Sequence, residues 1–128
     1  MIGEWDPTEV QATAGPSADQ LAKLALFSET PAKADDVLRK QAASWIKASV
    51  ESWNSAFATM SDEQLIALAF FYVRAEQSLS GFESGAQNPA IHVFRYLKSQ
   101  GRKPERDTVK ALKAETDNRF IPHGDALS

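Results

Sequence analysis

Apolar residues recur at helical spacing through most of the chain, most clearly in the segment from Ser61 to Gly81, SDEQLIALAFFYVRAEQSLSG. Ser61 with Gln64 three residues later matches a capping box, and Gly81 is a residue type that commonly follows a helix end. At ~100° per residue the apolar positions cover an arc of roughly 220°, whereas a surface helix needs a stripe only a little wider than about 100°. The pattern therefore predicts a buried central helix over residues 61–80. The apolar positions are Leu65, Ile66, Leu68, Ala69, Phe70, Tyr72, Val73, Ala75 and Leu79, and they leave a narrow opening at Ala67, Arg74 and Ser78.

Two helices are predicted before the central one. Ser17 with Gln20 forms another capping box at the start of the first. No glycine or proline interrupts the chain between Pro31 and Ala58, and apolar residues there alternate spacings of three and four. This stretch predicts one long second helix of about 40 Å. Because that length is large for a small domain, we expect a bend near Asn54–Ser55.

Two further helices are predicted after the central one. Asn88–Pro89 and Lys103–Pro104 each place a proline at a helix start, where the missing backbone N–H costs little. Gly101 separates the two helices. His92 falls on the polar side of the first of them, near Arg95, where we expect it to be solvated.

These elements together predict an all-α fold, because no segment alternates between apolar and polar residues for long enough to predict a strand. The expected architecture is a compact bundle of about five helices around the buried central helix at 61–80, with an extended C-terminal tail. Residues 1–16 lack a periodic apolar pattern and contain two glycines and two prolines, so they are predicted to form a flexible N-terminal arm. Residues 17–128 are predicted to form a single all-α domain.

Composition narrows the class of protein. A chain of 128 residues with 43% hydrophobic residues can form one domain with its own core. It contains no cysteine, which excludes a disulfide framework, a thiolate nucleophile and cysteine ligands to a metal. No apolar run approaches the ~18 residues of a membrane span, and acidic residues near Met1 stand where a signal peptide carries positive charge. We therefore expect a soluble, cytoplasmic protein that does not contact a membrane.

The sequence contains no recognisable motif for metal, cofactor or nucleophile. The two histidines, His92 and His123, lie outside any HExxH or Glu-x-x-His pattern, so no metal site is predicted. There is no GxSxG sequence for a serine nucleophile. The glycines form neither GxGxxG nor a phosphate-binding loop, so no cofactor is predicted. We expect the protein not to be an enzyme.

One ionisable residue, Glu76, falls within the apolar arc of the central helix, four residues after Tyr72. A buried carboxylate either becomes protonated or acquires a partner. In a functional interpretation, Glu76 with Tyr72 and Arg119 forms a buried polar site for a small ligand or for acid–base catalysis. In a structural interpretation, Glu76 accepts hydrogen bonds from the following loop, or pairs with Arg119. Both interpretations stay open from the sequence.

A second candidate site is basic. Residues 1–88 carry 6 Lys/Arg and 12 Asp/Glu, whereas residues 89–128 carry 8 Lys/Arg and 5 Asp/Glu. The stretch 95–113 resembles a helix-turn-helix hairpin in outline and could bind phosphates, although Glu105, Asp107 and Glu115 lie in or beside its second helix. The candidate basic patch comprises Arg95, Lys98, Arg102, Lys103, Arg106, Lys110 and Lys113.

The C-terminal residues Asn118–Pro122 mix amide, guanidinium and aromatic groups, and they could dock on a partner or cover one end of the bundle. Three functions follow from the sequence. The first is a non-catalytic accessory or protein–protein interaction domain with a protein partner. The alternatives are a nucleic-acid-binding module that uses the 95–113 hairpin, and a ligand-binding protein or enzyme that uses Glu76.

Overall fold

The computed structural model describes residues 16–102 and 104–116, without the side chain of Ala86. Over these residues all regular secondary structure is helical, which confirms the predicted all-α fold class. Most of the predicted arm at 1–16 lies outside the described residues, and so do Lys103, Arg119 and the predicted tail.

Six α-helices and two short 3₁₀ turns form this part of the chain. The central helix, α4, packs mainly against α5 and α1, with further contacts from the first 3₁₀ turn and α6. The helices are α1 (Ala18–Ala25), α2 (Asp36–Trp45), α3 (Val50–Phe57), α4 (Asp62–Ser78), α5 (Pro89–Ser99) and α6 (Arg106–Ala114), and the 3₁₀ turns are Pro31–Lys33 and Gly85–Gln87.

Helix α4 is the predicted central helix and begins where the sequence indicates. The Ser61 side chain accepts a hydrogen bond from the Gln64 N–H, and the Gln64 side chain accepts one from the Ser61 N–H, so the capping box is complete. The helix buries its aromatic centre: the Tyr72 ring packs edge-on against Trp53, with ring centroids 5.8 Å apart. Its fully buried side chains are Leu65, Leu68, Ala69, Phe71, Tyr72, Val73 and Ala75.

The buried face of α4 differs from the predicted arc at two edges. Phe71, outside that arc, is fully buried because Phe82 from the following loop packs on it at 6.1 Å between ring centroids. Ile66 and Phe70, inside that arc, are only half-buried. The partly exposed strip of α4 is therefore wider and more apolar than the predicted opening.

The predicted long helix from Pro31 to Ala58 is divided, and the prediction of one continuous element is wrong there. The break lies between α2 and α3, before the expected bend at Asn54–Ser55. Ser49 starts the new helix, since its hydroxyl accepts a hydrogen bond from the Ser52 N–H. The last carbonyl of α2 accepts a hydrogen bond from a side chain of α3, because the Trp53 Nε1–H donates to the Trp45 carbonyl at 3.2 Å.

The expectation that His92 is solvated is also wrong. Its side chain is buried, with 8% of its surface exposed, because α5 is packed between α4 and α3. The imidazole lies 6.1 Å from the Trp53 ring, between centroids, and its Nδ1 has no hydrogen-bond partner within 16–102 and 104–116. Burial, together with the positive charge of Arg95, lowers the pKa of His92.

The described helices differ from membrane-spanning helices in length and in apolar character. None of them combines the length and the apolar character needed to cross a bilayer.

Candidate functional site

Glu76 lies near the end of α4, and its carboxylate accepts hydrogen bonds from the loop that follows. Oε2 accepts from the Ser84 N–H at 2.8 Å, the Ser84 hydroxyl at 3.2 Å and the Gly85 N–H at 3.1 Å. Oε1 accepts from Nδ2 of Asn88 at 3.1 Å. Backbone amides of this kind are the partners that satisfy a carboxylate withdrawn from water. The contacts favour the structural interpretation of Glu76.

Asn88 extends this network into the next helix. It is fully buried, and its Oδ1 accepts a hydrogen bond from the Ala90 N–H at 2.9 Å, which caps the start of α5. Its Nδ2 lies 3.5 Å from the Tyr72 carbonyl as well as donating to Glu76. The sequence indicates Asn88 as a cap but gives no sign that it is also a partner of Glu76. Glu76 and Asn88 together connect the end of α4 to the beginning of α5.

The side chain of Tyr72 has a different partner. Its hydroxyl donates to the Ala42 carbonyl at 2.8 Å, which ties α4 to α2. Burial raises the pKa of Tyr72 well above its ordinary value, so the phenol stays protonated. Of the candidate polar site Glu76, Tyr72 and Arg119, the first two therefore have different partners and different structural roles, and Arg119 lies outside the described residues.

The candidate basic patch is only partly exposed. Arg102 donates from Nε to Oδ1 of Asp62 at 2.7 Å, its Nη2 lies 2.5 Å from the same oxygen, and Nη2 also donates to the Met60 carbonyl at 3.4 Å. Arg102 thus fixes the turn after α5 to the start of α4. Lys103 lies outside the described residues, and Lys113 is half-buried. The exposed members are Arg95, Lys98, Arg106 and Lys110.

The second helix of the predicted basic hairpin packs on the central helix. Helix α6 makes its main helix contacts with α4. At its C-terminal end Thr116 Oγ1 accepts from Nε2 of Gln77 at 3.1 Å, and Glu115 Oε1 pairs with Nε of Arg74 at 3.1 Å. A DNA-reading helix-turn-helix presents its second helix to a groove of the duplex. The outer face of α6 is exposed, and it carries Asp107 beside Arg106 and Lys110, so its charge is mixed.

A groove of about 570 Å³ runs along the partly exposed strip of α4, and we call it the α4 groove. Apolar side chains of α4 and α5 line its floor, and the turn before α6 forms one wall. Sequence reasoning anticipates an opening at Ala67 and Arg74, but it does not anticipate a groove with Phe70 in it. The lining residues are Ile66, Ala67, Phe70 and Leu97 on the floor, Ser28, Pro104 and Thr108 on the walls, and Asp62, Glu63, Arg74, Arg102 and Glu105 among the charged groups.

The two cations among the described lining residues of the α4 groove, Arg74 and Arg102, already have partners. Arg74 donates from Nη1 to the Ser28 carbonyl at 2.8 Å and pairs with Glu115, and its guanidinium carbon lies 4.8 Å from the centroid of the Phe70 ring. Arg102 is paired with Asp62. The remaining carboxylates, Glu63 and Glu105, are exposed and form no ion pair with any residue that the structure describes.

Metal-binding chemistry finds no support in the geometry of the described residues. Within 16–102 and 104–116, no group of three histidine, aspartate or glutamate side chains is close enough to hold a metal ion.

Comparison with known proteins gives no relative. No protein-family model and no curated protein matches the sequence, and no solved structure matches the fold.

Proposed function

We propose that this chain is a non-catalytic protein-interaction domain that binds a segment of a partner protein in the α4 groove. The observation that carries the proposal is the groove itself. It is concave, it lies on the central helix where neighbouring helices leave that helix uncovered, and half-buried Ile66 and Phe70 lie on its floor.

The composition of the groove supports protein binding. Protein interfaces combine an apolar core with a polar rim, and the α4 groove has Ile66 and Phe70 on its floor and carboxylates such as Glu63 at its edge. Its volume of about 570 Å³ is within the ~300–1,000 Å³ range of pockets that hold small molecules, so there is room in it for a few side chains of a partner. An interface built on it is small, which suits a weak or transient partner.

The non-catalytic part of the proposal is supported by the hydrogen bonds of Glu76 and Tyr72, the two described residues of the candidate polar site. Glu76 accepts hydrogen bonds that order a loop, and Tyr72 donates one that joins two helices. Neither residue lines the α4 groove. The cytoplasmic location expected from the sequence remains part of the proposal.

A groove-filling substitution tests the proposal. Ala67 is half-buried on the floor, so Ala67→Arg obstructs the groove from within the helix. Ala58→Arg is the matched control, because Ala58 is exposed and is not among the groove residues. A displayed library of short random peptides is selected on the full wild-type chain with counter-selection on Ala67→Arg. Fluorescence anisotropy then compares the enriched peptides on all three proteins.

We expect peptides that bind the wild type and Ala58→Arg equally and that bind Ala67→Arg at least about tenfold more weakly, ~1.4 kcal/mol. Circular dichroism and urea unfolding establish that both variants are folded. Peptides that bind all three proteins equally, or a selection that enriches none, would contradict the proposal.

A further inference from the structure

We infer that the segment held in the α4 groove is basic: it carries large apolar side chains with a lysine or arginine next to them. This inference rests on the proposed function and specifies its partner. The charged groups that line the groove, and the contacts that each of them already makes, favour a cationic partner.

Among the described lining residues, negative charge is in excess once the ion pairs are counted. Arg102 is neutralised by Asp62, and Arg74 by Glu115. Glu63 and Glu105 remain, and both are exposed groove residues. Glu105 occupies the position before α6, yet its side chain makes no capping hydrogen bond to that helix. A cationic partner meets two carboxylates here, whereas an anionic partner meets guanidinium groups that are already bonded.

The positions of these carboxylates give the groove a direction. Glu63 is in the first turn of α4, and Glu105 follows the turn that Arg102 ties to Asp62, so both lie at the same end. Arg74 marks the other end, eleven residues along the helix from Glu63 or roughly 16 Å. Ile66 and Phe70 lie between. The basic residue of the partner is therefore placed beside Glu63 and Glu105, and its apolar side chains contact Ile66 and Phe70.

Nucleic acid is a poorer occupant than a basic protein segment. Phosphate binding depends on lysine and arginine side chains that can exchange counterions for phosphate. In this groove Arg74 and Arg102 already donate to carboxylate and carbonyl oxygens. Apolar side chains on the floor also match the side chains of a peptide better than they match a phosphate backbone.

Charge reversal at the acidic end tests the inference. The random-peptide selection is run in parallel on the wild type and on the double variant Glu63→Lys, Glu105→Lys. We expect peptides from the wild type to be enriched in lysine and arginine relative to the starting library, and peptides from the double variant to be enriched in aspartate and glutamate. For wild-type peptides, Glu63→Gln with Glu105→Gln should weaken binding by roughly three- to tenfold, less at high salt, as expected for exposed ion pairs.

The control is Asp19→Asn with Glu51→Gln, since these acids are also exposed in the first turns of their helices but lie outside the groove. It should leave peptide affinity unchanged. Some peptides could bind the wild type but not Ala67→Arg and yet show no enrichment in lysine or arginine. That result would overturn this inference but would not contradict the proposed function. If no peptide depends on the groove, both fail. If the wild type forms a dimer that Ala67→Arg abolishes, the occupant is a second copy of this chain and the inference of a basic segment is refuted.

Discussion

The hydrogen bond between Asn88 and Glu76 offers a sharp test of how the end of α4 is held. Replacing Asn88 with aspartate changes almost no volume, but it substitutes an oxygen for the Nδ2 donor that faces Oε1 of Glu76 at 3.1 Å. Because Asn88 is fully buried, water cannot separate the two carboxyl groups without disturbing the helix start. The Asn88→Asp variant can keep its structure only if the pair either tolerates two negative charges or takes up a proton.

The magnitudes decide between these two routes. Two unit charges 3.1 Å apart repel by about 5 kcal/mol at an effective dielectric constant of 20. Protonating an aspartate with an ordinary pKa near 3.9 costs about 4 kcal/mol at pH 7. Proton uptake is therefore the cheaper route, and it restores a donor to Glu76. We expect Asn88→Asp to lose about 4 kcal/mol of unfolding free energy at pH 7.

The loss should shrink as the pH falls. The folded variant binds one proton more than its unfolded chain between pH 5 and pH 7, so its stability relative to wild type rises by about 1.4 kcal/mol for each pH unit of acidification. At pH 5 the remaining cost is about 1.5 kcal/mol. Asn88→Ala is the control, because it removes the same donor and the Ala90 cap without adding an ionisable group. Its cost of about 3 kcal/mol should be the same at both pH values.

Urea unfolding followed by circular dichroism at pH 5, 6 and 7 measures these differences for the wild type and both variants. Contributions shared by all three proteins, including the titration of His92, cancel in the comparison. The reasoning is refuted if the cost of Asn88→Asp does not change with pH, or if Asn88→Asp is less destabilising than Asn88→Ala at pH 7.

Two further predictions concern other buried polar groups. Tyr72→Phe removes the hydroxyl that donates to the Ala42 carbonyl, and we expect it to lower the urea-unfolding free energy by about 1–2 kcal/mol; an unchanged value would show that the carbonyl is satisfied without it. His92 has a lowered pKa in the folded state, so the unfolded chain binds the proton more readily and stability should fall as the pH drops below about 6.5. That decrease should be smaller in His92→Gln when urea midpoints are compared between pH 7.5 and pH 5.5, and equal decreases in both proteins would contradict the assignment.

Local signals explain why the central helix could be predicted closely. Its start depends on the Ser61 and Gln64 capping box, which is complete within four residues of sequence. The break between α2 and α3 depends on less visible signals. Ser49 is a good cap, but it follows an apolar pattern that continues across the break. The hydrogen bond from Trp53 to the Trp45 carbonyl forms only after the two helices have turned against each other.

The walls of the α4 groove could not be predicted from the sequence, because they depend on packing between distant parts of the chain. The hydrogen-bond partners of Glu76 are only eight to twelve residues away along the chain. Because they are so close in sequence, a structural role for Glu76 could be predicted as one of its two interpretations. The α4 groove depends instead on where the turn near Pro104 and the end of α1 come to lie, about thirty to forty residues from Ala67 in either direction. No periodicity in α4 encodes those positions. The opening was predictable and its walls were not.

The ion pairs around the groove are better understood as positioning contacts than as a source of stability. Arg74–Glu115 and Arg102–Asp62 are partly exposed, with acidic side chains 42% and 59% exposed, and such pairs contribute about 0–1 kcal/mol to folding. Arg102–Asp62 nevertheless joins the turn before α6 to α4, Arg74–Glu115 joins the end of α6 to α4, and Arg74 also covers part of the Phe70 ring. Binding costs less when the site is ordered before the partner arrives. The floor of this groove belongs largely to the central helix, and hydrogen bonds or ion pairs tie its surroundings to that helix at both ends. The core that stabilises the domain therefore also holds the floor in place.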